Sequence, residues 1–164
     1  MQVDDFISIM EVDDGPRHAQ AIFDRRYRLQ VPEFPNHIVA FYRRDDGSLV
    51  PVCYVHFTDC GDIMLCGGAC TDDRVLRQMS TAQRDRLREV GGVFRLTLNW
   101  CTRRYASRCL AMFGYSGDAL AHREGVAAGW VPLEDHRLLA FWCRELDERK
   151  RHELIAKAQS FIPF

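Results

Sequence analysis

Residues 107–142 give the clearest indication of how this chain folds. They read SRCLAMFGYSGDALAHREGVAAGWVPLEDHRLLAFW, in which an apolar strand-like run comes first and a short helical segment follows. The small-residue turn AAGW at 127–130 ends that helix, and two apolar runs around a polar turn predict a final hairpin. A strand, a short helix and a hairpin in this order predict a mixed α+β sheet protein.

Length, charge and cysteine content limit the class of protein. A chain of 164 residues fits one domain, with its core over 7–142 and a further helix over 143–161. The formal net charge of -1 predicts neither nucleic acid nor a membrane surface as a partner. The acidic N-terminus lacks the pattern of a secretion signal, which predicts a cytoplasmic location, and seven scattered cysteines favour reduced thiols over a disulfide framework.

The chain before residue 72 predicts one helix and three strands. Asp46 and Gly47 are a strong signal for a hairpin turn between the first two strands. In the third strand, Gly67 and Gly68 indicate a bulge or a close backbone approach, and therefore a first place to look for a ligand. The predicted bounds are 16–30 for the helix and 37–42, 49–58 and 63–70 for the strands.

Two further helices are predicted downstream. Ser80 and Gln83 have the spacing of a capping box at the start of a long helical pattern over 81–105. The pair Gly91-Gly92 lies inside this pattern, so the helix either packs closely against a strand or breaks there. A last helix over 143–161 carries a thin apolar stripe, which could form a subunit contact in a homodimer.

This order of elements is similar to the GNAT (GCN5-related N-acyltransferase) superfamily over about residues 7–142. The turn AAGW at 127–130 resembles the ending of that family's short helix. The resemblance implies a GNAT-like α+β fold, with a mostly antiparallel central sheet flanked by helices and an added C-terminal helix. It also implies transfer of an acyl group from the co-substrate acyl-CoA to an amine of a small molecule or a protein.

The resemblance also implies a phosphate-binding loop. The family binds the CoA pyrophosphate at a helix start, with the pattern Gln or Arg, two residues, Gly, one residue, then Gly or Ala. Residues 77–82 match at Arg77 and Ala82, whereas Ser80 stands where the family has Gly. Arg74 could add a second guanidinium for the phosphates. The residues predicted to bind acyl-CoA are Cys66, Gly67, Gly68, Cys70, Thr71, Arg74, Arg77, Gln78, Ser80, Thr81 and Ala82.

Catalytic residues follow less directly, because Gly125 occupies the position of the family's tyrosine acid. Tyr115, at the end of the preceding strand, is the substitute that we predict as the acid. The third strand offers no carboxylate base, and His56 is the substitute there because imidazole titrates near neutral pH. The alternatives are a hydrogen-bonded structural role for His56 and a helix-capping role for Asp118 beside Tyr115, which would suit a non-catalytic module that binds a ligand or a protein.

The cysteines and the arginines bear on two other kinds of partner, a metal ion and an anionic protein. Three cysteines share strand parity with His56, but their spacing differs from that of zinc sites, so no metal is predicted. Segment 72–108 contains nine arginines against four acidic residues, an excess that could attract an anionic protein. Acyl carrier protein is therefore an alternative acyl donor.

Overall fold

The computed structural model of the protein describes residues 1–33 and 35–164. The seven strands formed by these residues are β1 (Ile7–Val12), β2 (Asn36–Arg43), β3 (Leu49–Asp59), β4 (Ile63–Thr71), β5 (Ala111–Tyr115), β6 (Val131–Pro132) and β7 (Leu138–Trp142). Their six α-helices are α1 (Gly15–Tyr27), α2 (Asp73–Leu76), α3 (Thr81–Glu89), α4 (Gly92–Tyr105), α5 (Ala119–Ala127) and α6 (Glu148–Gln159). No helix of this part of the chain is long and apolar enough to span a membrane.

All seven strands form one sheet, in the order β1-β2-β3-β4-β5-β7-β6. Neighbouring strands are antiparallel except β4 and β5, which are parallel because α2, α3 and α4 connect them. The predicted α+β fold with a mostly antiparallel sheet is therefore confirmed, as are the three strands, the final hairpin and the last helix. Two elements are not predicted from the sequence: β1, an edge strand with mostly half-exposed side chains, and the single turn of α2.

The glycine pair divides the predicted helix over 81–105 into α3 and α4. Gly91 and Gly92 have φ values of 88° and 87°, a region that side chains strongly disfavour. The chain can therefore change direction at this point and begin a new helix. The sequence left open whether the helix packs closely against a strand or breaks at this pair, and the structure shows a break.

The two faces of the sheet are covered by different helices. Strand alternation places Val55 in the core under α4 and its neighbour Tyr54 in the core under α1. On β4, Leu65 packs in the cluster that contains Leu154 of α6. Helix α5 contacts α4. We call these two sides the α4 face and the α1/α6 face.

Strands β4 and β5 are paired over only part of their length. Their parallel ladder runs from Ile63 opposite Ala111 to Cys66 opposite Gly114, whereas β4 continues to Thr71 paired with β3 alone. The sheet consequently opens between β4 and β5 just beyond Cys66.

A β-bulge lies on β4 at this opening. Gly68 and Ala69 stand opposite the single residue Val55 of β3, and Gly68 has a φ of 48°. The bulge predicted from the paired glycines is thereby confirmed. It turns the backbone of β4 at the point where β5 no longer pairs with it.

Candidate active site

The opening between β4 and β5 leads into a cavity of about 490 Å³. Residues 66–71 of β4 form one wall, and Gly114 and Tyr115 of β5 form the opposite wall. The start of α4, the first turns of α5 and the last turn of α1 also line it, together with Asp73 and Leu76 of α2, Trp130 and Leu139. This volume lies within the range of small-molecule sites.

The structure brings together about half of the predicted site residues. Those that line the cavity are Cys66, Gly67, Gly68, Cys70, Thr71 and Tyr115. His56 does not line the cavity but contacts the glycines of the bulge from the α1/α6 face. The predicted residues that lie outside the lining are Arg74, Arg77, Gln78, Ser80, Thr81 and Ala82.

The predicted phosphate loop has its own side-chain partners. The hydroxyl of Ser80 accepts a hydrogen bond from the Gln83 amide at 3.2 Å, and the Gln83 side chain accepts one from the Ser80 amide at 2.8 Å. This reciprocal box satisfies the start of α3, as the sequence spacing predicts. Gln78 accepts a hydrogen bond from Arg44, and the side chain of Arg77 is exposed. Ser80 and Gln83 thus cap α3, and residues 77–82 lie outside the cavity lining.

A different helix start lies on the cavity. Gly91, Gly92 and Val93 line it, and within the described residues no side chain caps the first turn of α4. Its leading amide groups and the positive end of its dipole are therefore available to an anion in the cavity. The other five helices are capped by side chains, namely Asp14, Asp72, Ser80, Asp118 and Asp147.

Charged side chains surround this helix start. The Arg95 guanidinium carbon lies 2.5 Å from the point where a Cβ on Gly91 would be, so a side chain there would displace the guanidinium as well as strain a φ of 88°. Arg95 donates to the Glu124 carboxylate, with an Nη2–Oε2 distance of 2.6 Å, and Arg123 pairs with the same carboxylate at 3.0 Å. Burial disfavours the ionised form of Glu124, but these two arginines outweigh it and lower its pKa.

His56 belongs to a buried chain of polar groups on the α1/α6 face. Its Nδ1 lies 3.3 Å from the hydroxyl of Tyr54, which lies 2.8 Å from Nδ1 of His37. A hydroxyl has one hydrogen, so it can donate to only one of the two imidazoles. When Tyr54 donates to the closer His37, His56 donates through Nδ1, and its Nε2 keeps a free lone pair.

The free Nε2 of His56 is directed at the bulge. This atom lies 2.6 Å from the position that a Cβ on Gly67 would occupy, and the imidazole also fills the Cβ position of Gly68. Burial and the neighbouring His37 lower the pKa of His56 to about 4, so its imidazole is neutral at pH 7. A neutral acceptor nitrogen thus lies behind the wall of the cavity.

Tyr115 and Asp118 lie where β5 leads into α5. Tyr115 is half-buried at the cavity wall. Asp118 accepts a hydrogen bond from the Ala121 amide at 2.9 Å, which confirms its predicted role as a helix cap, and its carboxylate also pairs with Arg26 of α1 at 2.6 Å. This ion pair joins the end of α1 to the start of α5 beside the cavity.

The cysteines on the cavity are protonated thiols. Burial raises the pKa of both Cys66 and Cys70 to about 12. Neither sulfur has the thiolate character that a nucleophile requires. In residues 1–33 and 35–164, no group of three or more His, Cys, Asp or Glu side chains is arranged to hold a metal ion.

Solved structures of acetyltransferases share this architecture. The ribosomal-protein-S18-alanine N-acetyltransferase from Escherichia coli matches with a TM-score of 0.57 and 12% identity, over 87% of this chain and 97% of that one. The chain has the GNAT fold. AtaTR bound with AcCoA matches with a TM-score of 0.50 and 14% identity, over 93% of this chain and 99% of that one.

A third GNAT structure comes from Vibrio fischeri. This ribosomal-protein-S5-alanine acetyltransferase has a TM-score of 0.50 and 9% identity, over 87% of this chain and 96% of that one. No protein-family model matches the sequence, and no curated protein matches it either. At these identities the likeness establishes the GNAT fold, and the activity has to be argued from the site.

Proposed function

We propose that this protein is an acyltransferase that moves an acyl group from acyl-CoA to an amine. The observation that carries the proposal is the uncapped glycine start of α4, which opens into the cavity where β4 and β5 separate. An anionic carrier and a thioester arm would fit these two features. The match to AtaTR, solved with AcCoA, supports the same class of donor.

The donor enters from the α4 face in this proposal. The pyrophosphate binds the amides at the start of α4, with Arg95 and Arg123 nearby. The sequence there is Arg88, two residues, Gly91, one residue and Val93, which fits the family pattern except for Val93. We therefore place the phosphate turn at 88–93 instead of 77–82.

The pantetheine arm follows the free edge of β4. Beyond Cys66 this strand pairs only with β3, so the edge that faces the cavity has backbone groups without a β5 partner. Pantetheine contains two amides, which can hydrogen-bond to such an edge as an added strand does. The thioester then lies near Gly67 and Tyr115.

The acceptor enters from the α1/α6 face, on which His56 and Tyr115 lie. The amine nitrogen attacks the thioester carbonyl carbon, a C–N bond forms and the C–S bond breaks. Nε2 of His56 takes the proton that the nitrogen loses, and the Tyr115 hydroxyl gives a proton to the departing thiolate. Solvent returns the proton from His56 to Tyr115, so the protein ends unchanged.

The low basicity of His56 limits the groups from which it can take a proton. An imidazole with a pKa of about 4 is too weak a base to deprotonate a free alkylammonium ion. It can accept a proton from the much more acidic nitrogen of the tetrahedral intermediate. Most of the rate enhancement then comes from holding amine and thioester together.

Acetyl-CoA binding to paired variants tests the proposed donor site. We expect Gly91→Ala to weaken binding at least tenfold, about 1.4 kcal/mol, because a Cβ meets Arg95 and strains a φ of 88°. Gly47→Ala is the matched control, since its φ is 81° and nothing lies within 4 Å of its Cβ position. Arg77→Ala should bind like the wild type.

Isothermal titration calorimetry measures these affinities. If Arg77→Ala loses binding while Gly91→Ala binds acetyl-CoA like the wild type, the pyrophosphate binds at residues 77–82 and not at 88–93. No acetyl-CoA binding by the wild-type protein at millimolar ligand would overturn the proposal.

Two other functions have specific support. Gly125 and Val93 depart from the family pattern, which favours a non-catalytic ligand-binding module, and mass spectrometry that detects a new amide would exclude it. The arginines of 72–108 favour acyl carrier protein as the donor. That donor predicts binding that weakens steeply with salt, whereas acyl-CoA held by backbone amides predicts a smaller effect.

A further inference from the structure

The segment after α6 lies against the opening between β4 and β5. The main-chain carbonyl carbon of Phe164 is 3.2 Å from the position that a Cβ on Gly67 would occupy. The Phe164 ring is half-buried, with its centre 6.3 Å from that of Tyr115. Phe164 therefore contacts the cavity wall and the proposed acid at the same time.

Gly67 on β4 is also in contact with His56, the proposed base. Nε2 of His56 lies 2.6 Å from the Cβ position of Gly67 that Phe164 approaches. Strand parity puts Gly67 and Tyr115 on the α1/α6 face, because Leu65 and Phe113, two residues earlier on each strand, pack in the core under α6. Phe164 thus lies on the acceptor side of the opening, next to both proposed catalytic groups.

Helix α6 fixes this segment in place. Leu154 and Ala158 are buried against β4 and β5. Lys157 donates to the carbonyl of Cys60 at 2.7 Å and pairs with the Asp62 carboxylate at 2.5 Å. The anchored helix leads into the segment whose Ile162 and Phe164 pack against this part of the core.

We propose that Phe164 closes the acceptor side of the active site and shields the thioester from water. This inference rests on the proposed acyltransferase function. An apolar ring beside Tyr115 gives an incoming amine an apolar surface to pack against and keeps bulk solvent out. Phe164 is then a positioning residue that decides which nucleophile reaches the thioester.

The competing reaction is hydrolysis of acetyl-CoA. Water attacks the carbonyl carbon, a C–O bond forms, and the C–S bond breaks. One water proton passes to His56, Tyr115 protonates the thiolate, and the products are acetate and CoA. Removing the Phe164 ring should speed this reaction, whereas a variant that only loosens the fold should slow it.

Acetyl-CoA turnover without added amine tests the inference, with CoA release followed by chromatography. Phe161→Ala is the matched control, because Phe161 is in the same segment but 45% exposed. We expect Phe164→Ala to hydrolyse acetyl-CoA about tenfold faster than the wild type, Phe161→Ala to match the wild type, and acetyl-CoA affinity to be equal in all three. Phe164→Leu keeps an apolar side chain and should hydrolyse at close to the wild-type rate.

The possible outcomes distinguish the role of Phe164 from the proposed acyltransferase function. Equal hydrolysis in all variants, or an equal rise in Phe161→Ala and Phe164→Ala, would overturn the role of Phe164 while leaving the donor site intact. Absence of acetyl-CoA binding in the wild type would overturn the proposed function and this inference with it. If Phe164→Ala does not fold, faster hydrolysis in Phe164→Ser than in Phe164→Leu supports the inference, and equal rates oppose it.

Discussion

Buried neutral His56 should make the protein sensitive to acid, and this can be measured without any substrate. The imidazole is 9% exposed, and its pKa falls from 6.5 to about 4 in the folded protein. Between these two values the unfolded chain binds a proton that the folded chain does not. The contribution of His56 to stability is therefore complete above pH 6.5 and is lost as the pH falls towards 4.

The size of the loss in stability follows from the pKa shift of His56. Each pKa unit corresponds to about 1.4 kcal/mol, so the contribution lost over this range is about 3 kcal/mol. Carboxylates titrate over the same range, and a comparison of variants is needed to remove their effect. His56→Asn removes the titrating group and keeps a polar atom for the hydrogen bond to Tyr54.

Urea unfolding followed by tryptophan fluorescence gives the free energies at several pH values. We expect the stability advantage of the wild type over His56→Asn to shrink by about 3 kcal/mol between pH 7 and pH 4. His152→Asn, which alters an exposed histidine on α6, is the control and should show a constant difference. A constant difference for His56→Asn as well would refute the neutral buried state that we assign to His56.

Two further predictions concern the cysteines. Because burial raises the pKa of Cys66 to about 12, acyl transfer should not pass through an acyl-cysteine. Peptide mapping after incubation with acetyl-CoA should find Cys66 unmodified. An acetylated Cys66 peptide would contradict direct transfer. The sulfurs of Cys109 and Cys143 are 3.7 Å apart, and a hydrogen bond from the Cys109 thiol lowers the pKa of Cys143. Hydrogen peroxide should therefore oxidise this pair to a disulfide first, with two waters released, and mapping that finds another pair oxidised first would refute this.

Local signals were sufficient to predict most of the fold. Several features depend on only a few neighbouring residues, so the sequence is enough to predict them. They are the turn at Asp46-Gly47, the bulge at Gly67-Gly68 and the capping box at Ser80. Strand β1 was missed because an edge strand has little burial to impose an apolar alternation.

The candidate site was harder to predict, because it depends on which helix start reaches the sheet opening. Both Ser80 and Gly91 begin helices, and only the tertiary arrangement shows that Gly91 lies on the cavity. The missed signal was an Arg-x-x-Gly pattern at 88–91, hidden inside an apparently continuous helical periodicity. The contact of Phe164 with Gly67 joins distant parts of the chain and has no local signature.

The glycine pair between α3 and α4 also bears on how such a chain can diverge. Two residues at positive φ interrupt the helical backbone, so the axis of α3 does not determine the axis of α4. Substitutions, insertions or a change of length in α3 can accumulate while the amides of α4 keep their place at the sheet opening. Relatives of this protein should therefore vary most freely in α3 and least at Gly91 and Gly92, where any side chain would distort the turn.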